Sequence, residues 1–374
     1  MSDGEQFAHW WHARSRAVFR IPLLAALLAP VAAMSACSAA NQAAPTETVV
    51  ATSASPTAVA TSTSTSSTST TSTTIAATTT TTTIPVIDTA VLADVIAAAS
   101  LGPVPDGTPV AAARFDVSAL EDNGCHVGWG ATAPKANGCE FGDTTSDVVV
   151  VVTGDSHVAA WFGAFDEAGK ANHWKIVMVT KRGCPTADVE VYSAVNRDVL
   201  DAPYPECDTW RANAVQYITD LHADLVVFPM LTRRGVVGYS GAGAVREWGK
   251  GLGRTLDAVG ASGAKLLVIG DTPKTNGDNV PLCVSAHPLD IAPCGNTRSN
   301  AVLDERLAEL AEAAPAHHAT YVDPSNWFCT ETFCPAVIAN LVVYRDDSHL
   351  TDSYARYRWP QIAQAIRVAL ASDP

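Results

Sequence analysis

Two short blocks hold the residue types of nucleophilic catalysis. The first is Gly154-Asp155-Ser156-His157, which follows five consecutive valines at 148–152 and precedes a helical pattern. A serine at a helix start has backbone N–H groups beside it that can stabilise a developing oxyanion. The second block is Tyr344-Arg345-Asp346-Asp347-Ser348-His349-Leu350-Thr351. Asp346 and His349 are three residues apart, so one turn of chain can bring the carboxylate against the imidazole. His349 can then take the Ser156 proton while Asp346 fixes its tautomer and stabilises the imidazolium. The order Ser…Asp…His differs from that of several other hydrolases, but geometry defines a triad. Each block also has a plain structural reading: Gly-Asp-Ser is a common turn, and Asp and His near a helix start can act as caps. Their joint occurrence, each beyond an expected strand at opposite ends of one domain, favours catalysis.

The elements that must position these blocks alternate. Strands are expected at 148–152, 175–180, 225–228, 265–269, 319–322 and 337–344, and helices at 158–168, 211–221, 245–259, 300–313 and 354–371. The valine run has the character of a strand buried on both faces. Such alternation predicts an α/β domain with a parallel sheet and helices on both faces, where ligands bind beyond the carboxyl ends of the strands.

Composition narrows the function. The 374 residues carry a net charge of −14, with 38 acidic against 24 basic side chains and no Lys/Arg block longer than two. That argues against recognition of a nucleic-acid backbone. No apolar run has the ~18–20 residues of a spanning helix, which excludes a multi-pass membrane protein. Arg14, Arg16 and Arg20 precede a 16-residue apolar stretch at 21–36 that closes on small residues, the three parts of an export signal. Met34-Ser35-Ala36-Cys37 resembles the lipobox of bacterial lipoproteins, which makes Cys37 the expected lipid-modified residue, although Met34 stands where that pattern prefers Leu. Cleavage nearby, for instance after Ala40, is the alternative. From 46 to 83, 26 of 38 residues are Ser or Thr, too polar to fold, and the segment reads as a disordered tether. From Cys37 its root-mean-square reach is about 40 Å. The organisation expected is a signal peptide at 1–36, a linker at 37–86, an N-terminal elaboration at 87–145 and a catalytic domain at 146–374.

Eight cysteines remain after Cys37: Cys125, Cys139, Cys184, Cys207, Cys283, Cys294, Cys329 and Cys334. An even number in an exported chain points to disulfides. Pairing of sequence neighbours is expected (125–139, 184–207, 283–294, 329–334) because each pair brackets one loop. The absence of any CxxC argues against a zinc site, and neither metal nor other cofactor is expected.

The two blocks together resemble the SGNH hydrolase superfamily, and more closely the SGNH domain fused to acyltransferase type 3 membrane domains. The resemblance extends to Lys181-Arg182-Gly183-Cys184-Pro185, to Glu206-Cys207 with Trp210-Arg211, and to Gly270-Asp271-Thr272-Pro273. It includes Pro281-Leu282-Cys283 with Cys294, Val322-Asp323-Pro324, Cys329 and Cys334-Pro335, covering residues 124 to 370. It implies a three-layer α/β/α, flavodoxin-like fold. It also implies Ser156 as nucleophile, His349 as base, Asp346 as its partner, and the N–H groups of Ser156 and Gly183 as oxyanion donors. The chain departs from the superfamily after the third strand. Phe228-Pro229-Met230-Leu231-Thr232 contains no Asn, so a third donor is unassigned, and Arg233 and Arg234 read as solvated surface charges. His157 receives no catalytic role, Asp271 reads as a turn or pocket residue, and Asp347 as a flanking surface acid. Trp129, Trp161 and Trp327 read as core or rim packing.

In the family such domains transfer or remove acyl groups, usually acetyl, on bacterial envelope carbohydrate. The resemblance thus implies an envelope glycan substrate and, for transfer, a separate membrane acyltransferase as acyl donor. The protein is expected to be exported and either lipid-anchored at the outer face of the cytoplasmic membrane or secreted. Two other readings are weaker. Asp155-x-His157 with Gly270-Asp271 is faintly similar to metallophosphoesterases, but their GNH block is missing. A non-catalytic glycan-binding or acyltransferase-accessory lipoprotein on the same scaffold is the other.

Overall fold

A computed structural model describes residues 89–99, 102–193 and 202–372. The expected signal segment at 1–36, Cys37 and the expected linker at 37–86 lie outside the described residues. Among the described residues eleven strands occur in chain order: β1 (His126–Val127), β2 (Glu140–Gly142), β3 (Val149–Gly154), β4 (Lys175–Lys181), β5 (Leu225–Pro229), β6 (Lys265–Ile269), β7 (Asn296–Thr297), β8 (Ala319–Val322), β9 (Phe333–Cys334), β10 (Val337–Ile338) and β11 (Leu341–Val342). The central sheet has the order β1-β4-β3-β5-β6-β8, with β2 also on β4. Its five main strands, β4-β3-β5-β6-β8, are parallel, while β2 is antiparallel. Val150, Val151 and Val152 are fully buried, as a strand covered on both faces requires.

From β3 the chain runs to β4 on one side and then crosses to β5 on the other. The order therefore reverses at β3, the position where doubly wound sheets open a crevice beyond the strand ends. Helices fill both faces. Phe162–Asn172 packs with Asp352–Tyr357 and Trp359–Ala371, and Gly241–Gly260 packs with Pro205–Asp220 and Asp304–Ala316. The result is the three-layer α/β/α arrangement. Among the described residues no helix is long and apolar enough to cross a membrane.

Among the described residues four disulfides join Cys125 to Cys139, Cys184 to Cys207, Cys283 to Cys294 and Cys329 to Cys334. The first ties β1 to β2, which lie end to end along β4 and cover that sheet edge. The second staples the loop after β4 to the helix Pro205–Asp220.

Four expected elements differ, one of them the helix expected at 300–313, which is interrupted between Arg298–Ala301 and Asp304–Ala316. The apolar run at 337–344 is no sheet strand; it folds back as the hairpin β10–β11, with Ala339 and Asn340 at φ +51° and +60° forming its two-residue turn. The helix expected at 158–168 is two, Ser156–Ala160 and Phe162–Asn172. The closing helix is likewise divided at Arg358, which is buried with its guanidinium 5.0 Å from the rings of both Tyr354 and Tyr357.

Candidate active site

Strand β3 ends at Gly154, whose φ of +154° lies where side chains are rarely tolerated. A Cβ there would stand 2.3 Å from Val158 Cγ2, so the tight packing of the next helix also requires glycine. Asp155 caps that helix in extended conformation, its Oδ1 accepting the His157 N–H at 2.9 Å. The reversal leaves Ser156 as the first residue of Ser156–Ala160, where its own N–H has no acceptor within the helix. Burial pushes the Asp155 carboxyl up to about 6, only partly offset by the His157 N–H.

The second block is a closed turn beyond β11. Tyr344 and Leu350 form an antiparallel bridge, and the Arg345 N–H donates to the His349 carbonyl at 2.9 Å. Inside the turn, Asp346 Oδ1 accepts the N–H groups of Ser348 and His349 at 2.8 and 2.7 Å. Its Oδ2 faces His349 Nδ1 at 2.9 Å, and His349 Nε2 lies 2.9 Å from Ser156 Oγ. The network assigns the proton to Nδ1 and leaves Nε2 as acceptor for the serine hydroxyl. Burial raises the Asp346 carboxyl, but hydrogen bonds and charge from His349 outweigh it and bring the value to about 2. The carboxylate is therefore ionised at any pH near neutral.

Gly183 follows β4, whose Thr180 is paired with Gly154, so the two post-strand loops are neighbours. Gly183 has φ +59°, and a Cβ on it would meet the Trp129 ring at 2.4 Å. Arg234 donates to its carbonyl at 3.1 Å while lying 5.7 Å from the Trp129 ring centre. Arg233 approaches Asp271 Oδ2 at 3.3 Å and His157 Nδ1 at 3.4 Å. Both arginines are half-buried network members and not the solvated surface charges the sequence suggests. Burial holds the His157 imidazole well below its usual value, which keeps it neutral. Its ring tilts against that of His349 with centroids 5.1 Å apart. Asp271 accepts the Thr232 N–H at 3.1 Å and stays buried beside His157. Asp347 is exposed, Trp161 is core, and Trp129 and Trp327 are partly buried. Among the described residues no group of three or more His, Cys, Asp or Glu is placed to hold a metal ion.

The arrangement can move a proton from a serine hydroxyl to an imidazole held by a carboxylate, next to backbone donors at the switch point of the sheet. Sequence reasoning named the two blocks and missed the Arg233–Asp271–His157 network and the contacts of Glu121 with Arg182 and Arg345. Their partners are distant in sequence, and no local pattern marks them.

The model of the SGNH domain (fused to AT3 domains) matches residues 124–364. The periplasmic domain of the Salmonella ser. Paratyphi A lipopolysaccharide acetyltransferase superposes with a TM-score of 0.51 at 16% identity, over 70% of this chain and 98% of that one. That likeness is one of fold. The M. smegmatis aryl esterase follows at 12% identity and a TM-score of 0.36, over 59% of this chain and 99% of its own. A carbohydrate esterase family 2 enzyme from Corynascus thermopiles (Myceliophthora fergusii) stands at 13% and 0.34, over 60% and 67%. Among curated proteins none matches the chain. With the family match spanning well over half of its length, on a sheet of this order, the chain belongs to the SGNH domain family named for its fusion to AT3 domains.

Proposed function

We propose that the protein is an exported serine esterase or O-acyltransferase acting on acyl groups, acetyl foremost, of bacterial cell-envelope carbohydrate. The observation that carries this reading is the continuous pair of 2.9 Å contacts from Ser156 Oγ through His349 to Asp346. In the proposed cycle Ser156 Oγ attacks the acyl carbonyl carbon as His349 Nε2 takes its proton, and Asp346 stabilises the imidazolium. The tetrahedral oxyanion is met by the N–H groups of Ser156 and Gly183. Collapse expels the sugar or donor alkoxide, which receives the proton from His349, and leaves an acyl-serine. Water or a sugar hydroxyl then attacks the acyl carbon as the same imidazole takes its proton, and the acyl–Oγ bond breaks as that proton passes to Ser156 Oγ.

Membership in the SGNH family supports acyl chemistry, and the shared fold of the lipopolysaccharide acetyltransferase periplasmic domain supports a glycan as substrate. The four disulfides suit an oxidising compartment. The signal at 21–36, Cys37 and the Ser/Thr-rich linker support lipid anchoring on a flexible leash. For transfer, the acyl group arrives from a membrane acyltransferase.

The test follows acetate released from an O-acetylated polysaccharide, and acetyl gained by a deacetylated one, in parent and Ser156→Ala proteins. At least one activity is expected in the parent, with a loss of about 10³-fold or more in the variant. Neither activity in the parent, or equal activity in the variant, contradicts the reading.

A further inference from the structure

The Gly183 loop and the Asp346–His349 turn come from opposite ends of the domain, and acyl transfer needs both fixed against Ser156. On one side the turn is held by the Thr275 hydroxyl, which donates to the Asp347 carbonyl at 2.6 Å, and by the Val280 N–H, which donates to the Asp346 carbonyl at 3.2 Å. On the other side stands Glu121, on the four-residue helix Leu120–Asn123 and three residues upstream of the family match. Its Oε1 accepts from Arg345 Nη2 at 3.0 Å and its Oε2 from Arg182 Nη2 at 2.6 Å. Arg345 immediately precedes Asp346, and its N–H closes the turn on the His349 carbonyl. Arg182 immediately precedes Gly183.

We propose that Glu121 is a positioning residue whose carboxylate ties the turn bearing Asp346 and His349 to the Gly183 loop, fixing base and oxyanion donors relative to Ser156. This rests on the serine acyl-transfer reading. The Glu121 and Arg345 side chains retain only 12% and 13% exposure, so their pairing is little diluted by water. Burial raises the Glu121 carboxyl, and the surrounding positive charges more than offset it, leaving the group ionised. Without the carboxylate, two guanidiniums face one another unbalanced, and the more buried one, on Arg345, must move to regain water. Arg345 cannot move without the turn, because its own backbone closes it. A displacement of about 1 Å in a catalytic group costs up to about 10² in rate.

The experiment compares full-length parent, Glu121→Ala, Arg345→Ala, the double variant, Glu121→Asp and Glu121→Gln. Turnover of 4-nitrophenyl acetate and Ser156 labelling by a fluorophosphonate are read alongside melting temperature. Glu121→Ala should lose about 30-fold in kcat, within that 10² limit, with KM within about twofold and labelling slowed in parallel. Arg345→Ala should lose a comparable factor, and the double variant no more than the larger single loss, because the carboxylate acts through Arg345. Glu121→Asp, which keeps the charge, should recover part of the loss; Glu121→Gln, which keeps the shape and replaces Glu121→Ala should the latter not fold, should recover none. Multiplying losses, a loss confined to KM, or unchanged kcat in an active series overturns the proposal and leaves the serine reading intact. A parent that neither turns over ester nor labels at Ser156 overturns that reading, and this proposal with it.

Discussion

The Ser156 hydroxyl is two hydrogen bonds from a carboxylate that its surroundings hold at about 2, so the imidazole between them is oriented at every working pH. Asp346→Asn keeps the size of the group but lets its amide donate to Nδ1, favouring the wrong tautomer. We expect kcat to fall by about four orders of magnitude, as in comparable triads, with melting temperature little changed; a loss under about tenfold would deny the carboxylate its role. Asp155 makes a second prediction. Its folded value of about 6 lies above the ordinary 3.8, so the folded protein binds this proton more tightly than the unfolded chain. The resulting stability is present below about pH 4 and is lost as pH rises through 6. Asp155→Asn retains an acceptor for the cap and removes the ionisation. In urea unfolding it should match the parent near pH 4 and exceed it by up to about 3 kcal/mol above pH 6. A pH-independent difference would refute the assignment.

At the scale of elements, the parallel core was legible because each strand is a short apolar run ending just before a loop-forming residue. The run at 148–152 is all β-branched valine, which favours a strand, and that places Gly154-Asp155-Ser156 just beyond its end. The run at 337–344 misleads because continuous hydrophobicity has no period to distinguish a sheet strand from a hairpin. Only Asn340, tolerant of positive φ, hints at the turn. Strands β1 and β2 are two and three residues long and leave no pattern; their reason for existing is the exposed edge of β4. Disulfide neighbours were readable because each pair closes a single loop, whereas Glu121 and Arg233 find partners that sequence proximity does not indicate. The edge cover gives a prediction. Replacing Cys125 and Cys139 together by Ser should lower unfolding stability by about 3 kcal/mol, since the bridge closes a short loop. Unchanged stability would mean that β1 and β2 hold to β4 without the bridge.

For the whole molecule, composition sets the Ser/Thr-rich stretch at 46–83 apart from the strand–helix pattern that follows it. The net charge of −14 argues against binding to a nucleic-acid backbone, and the switch point at β3 opens beyond the carboxyl ends of the strands. If Cys37 carries lipid, Cys37→Ser should transfer the protein from the membrane to the soluble fraction while kcat/KM for a small soluble ester is unchanged. An unaltered membrane fraction would refute lipid anchoring through Cys37.

The most direct test of the central claim is intact-protein mass spectrometry of the full chain after incubation with an activated acetyl ester, beside Ser156→Ala and His349→Ala. One acetyl group gained by the parent, mapped to Ser156 and absent from both variants, is the predicted result. No adduct together with no ester turnover, or an adduct that persists in Ser156→Ala, would contradict the account.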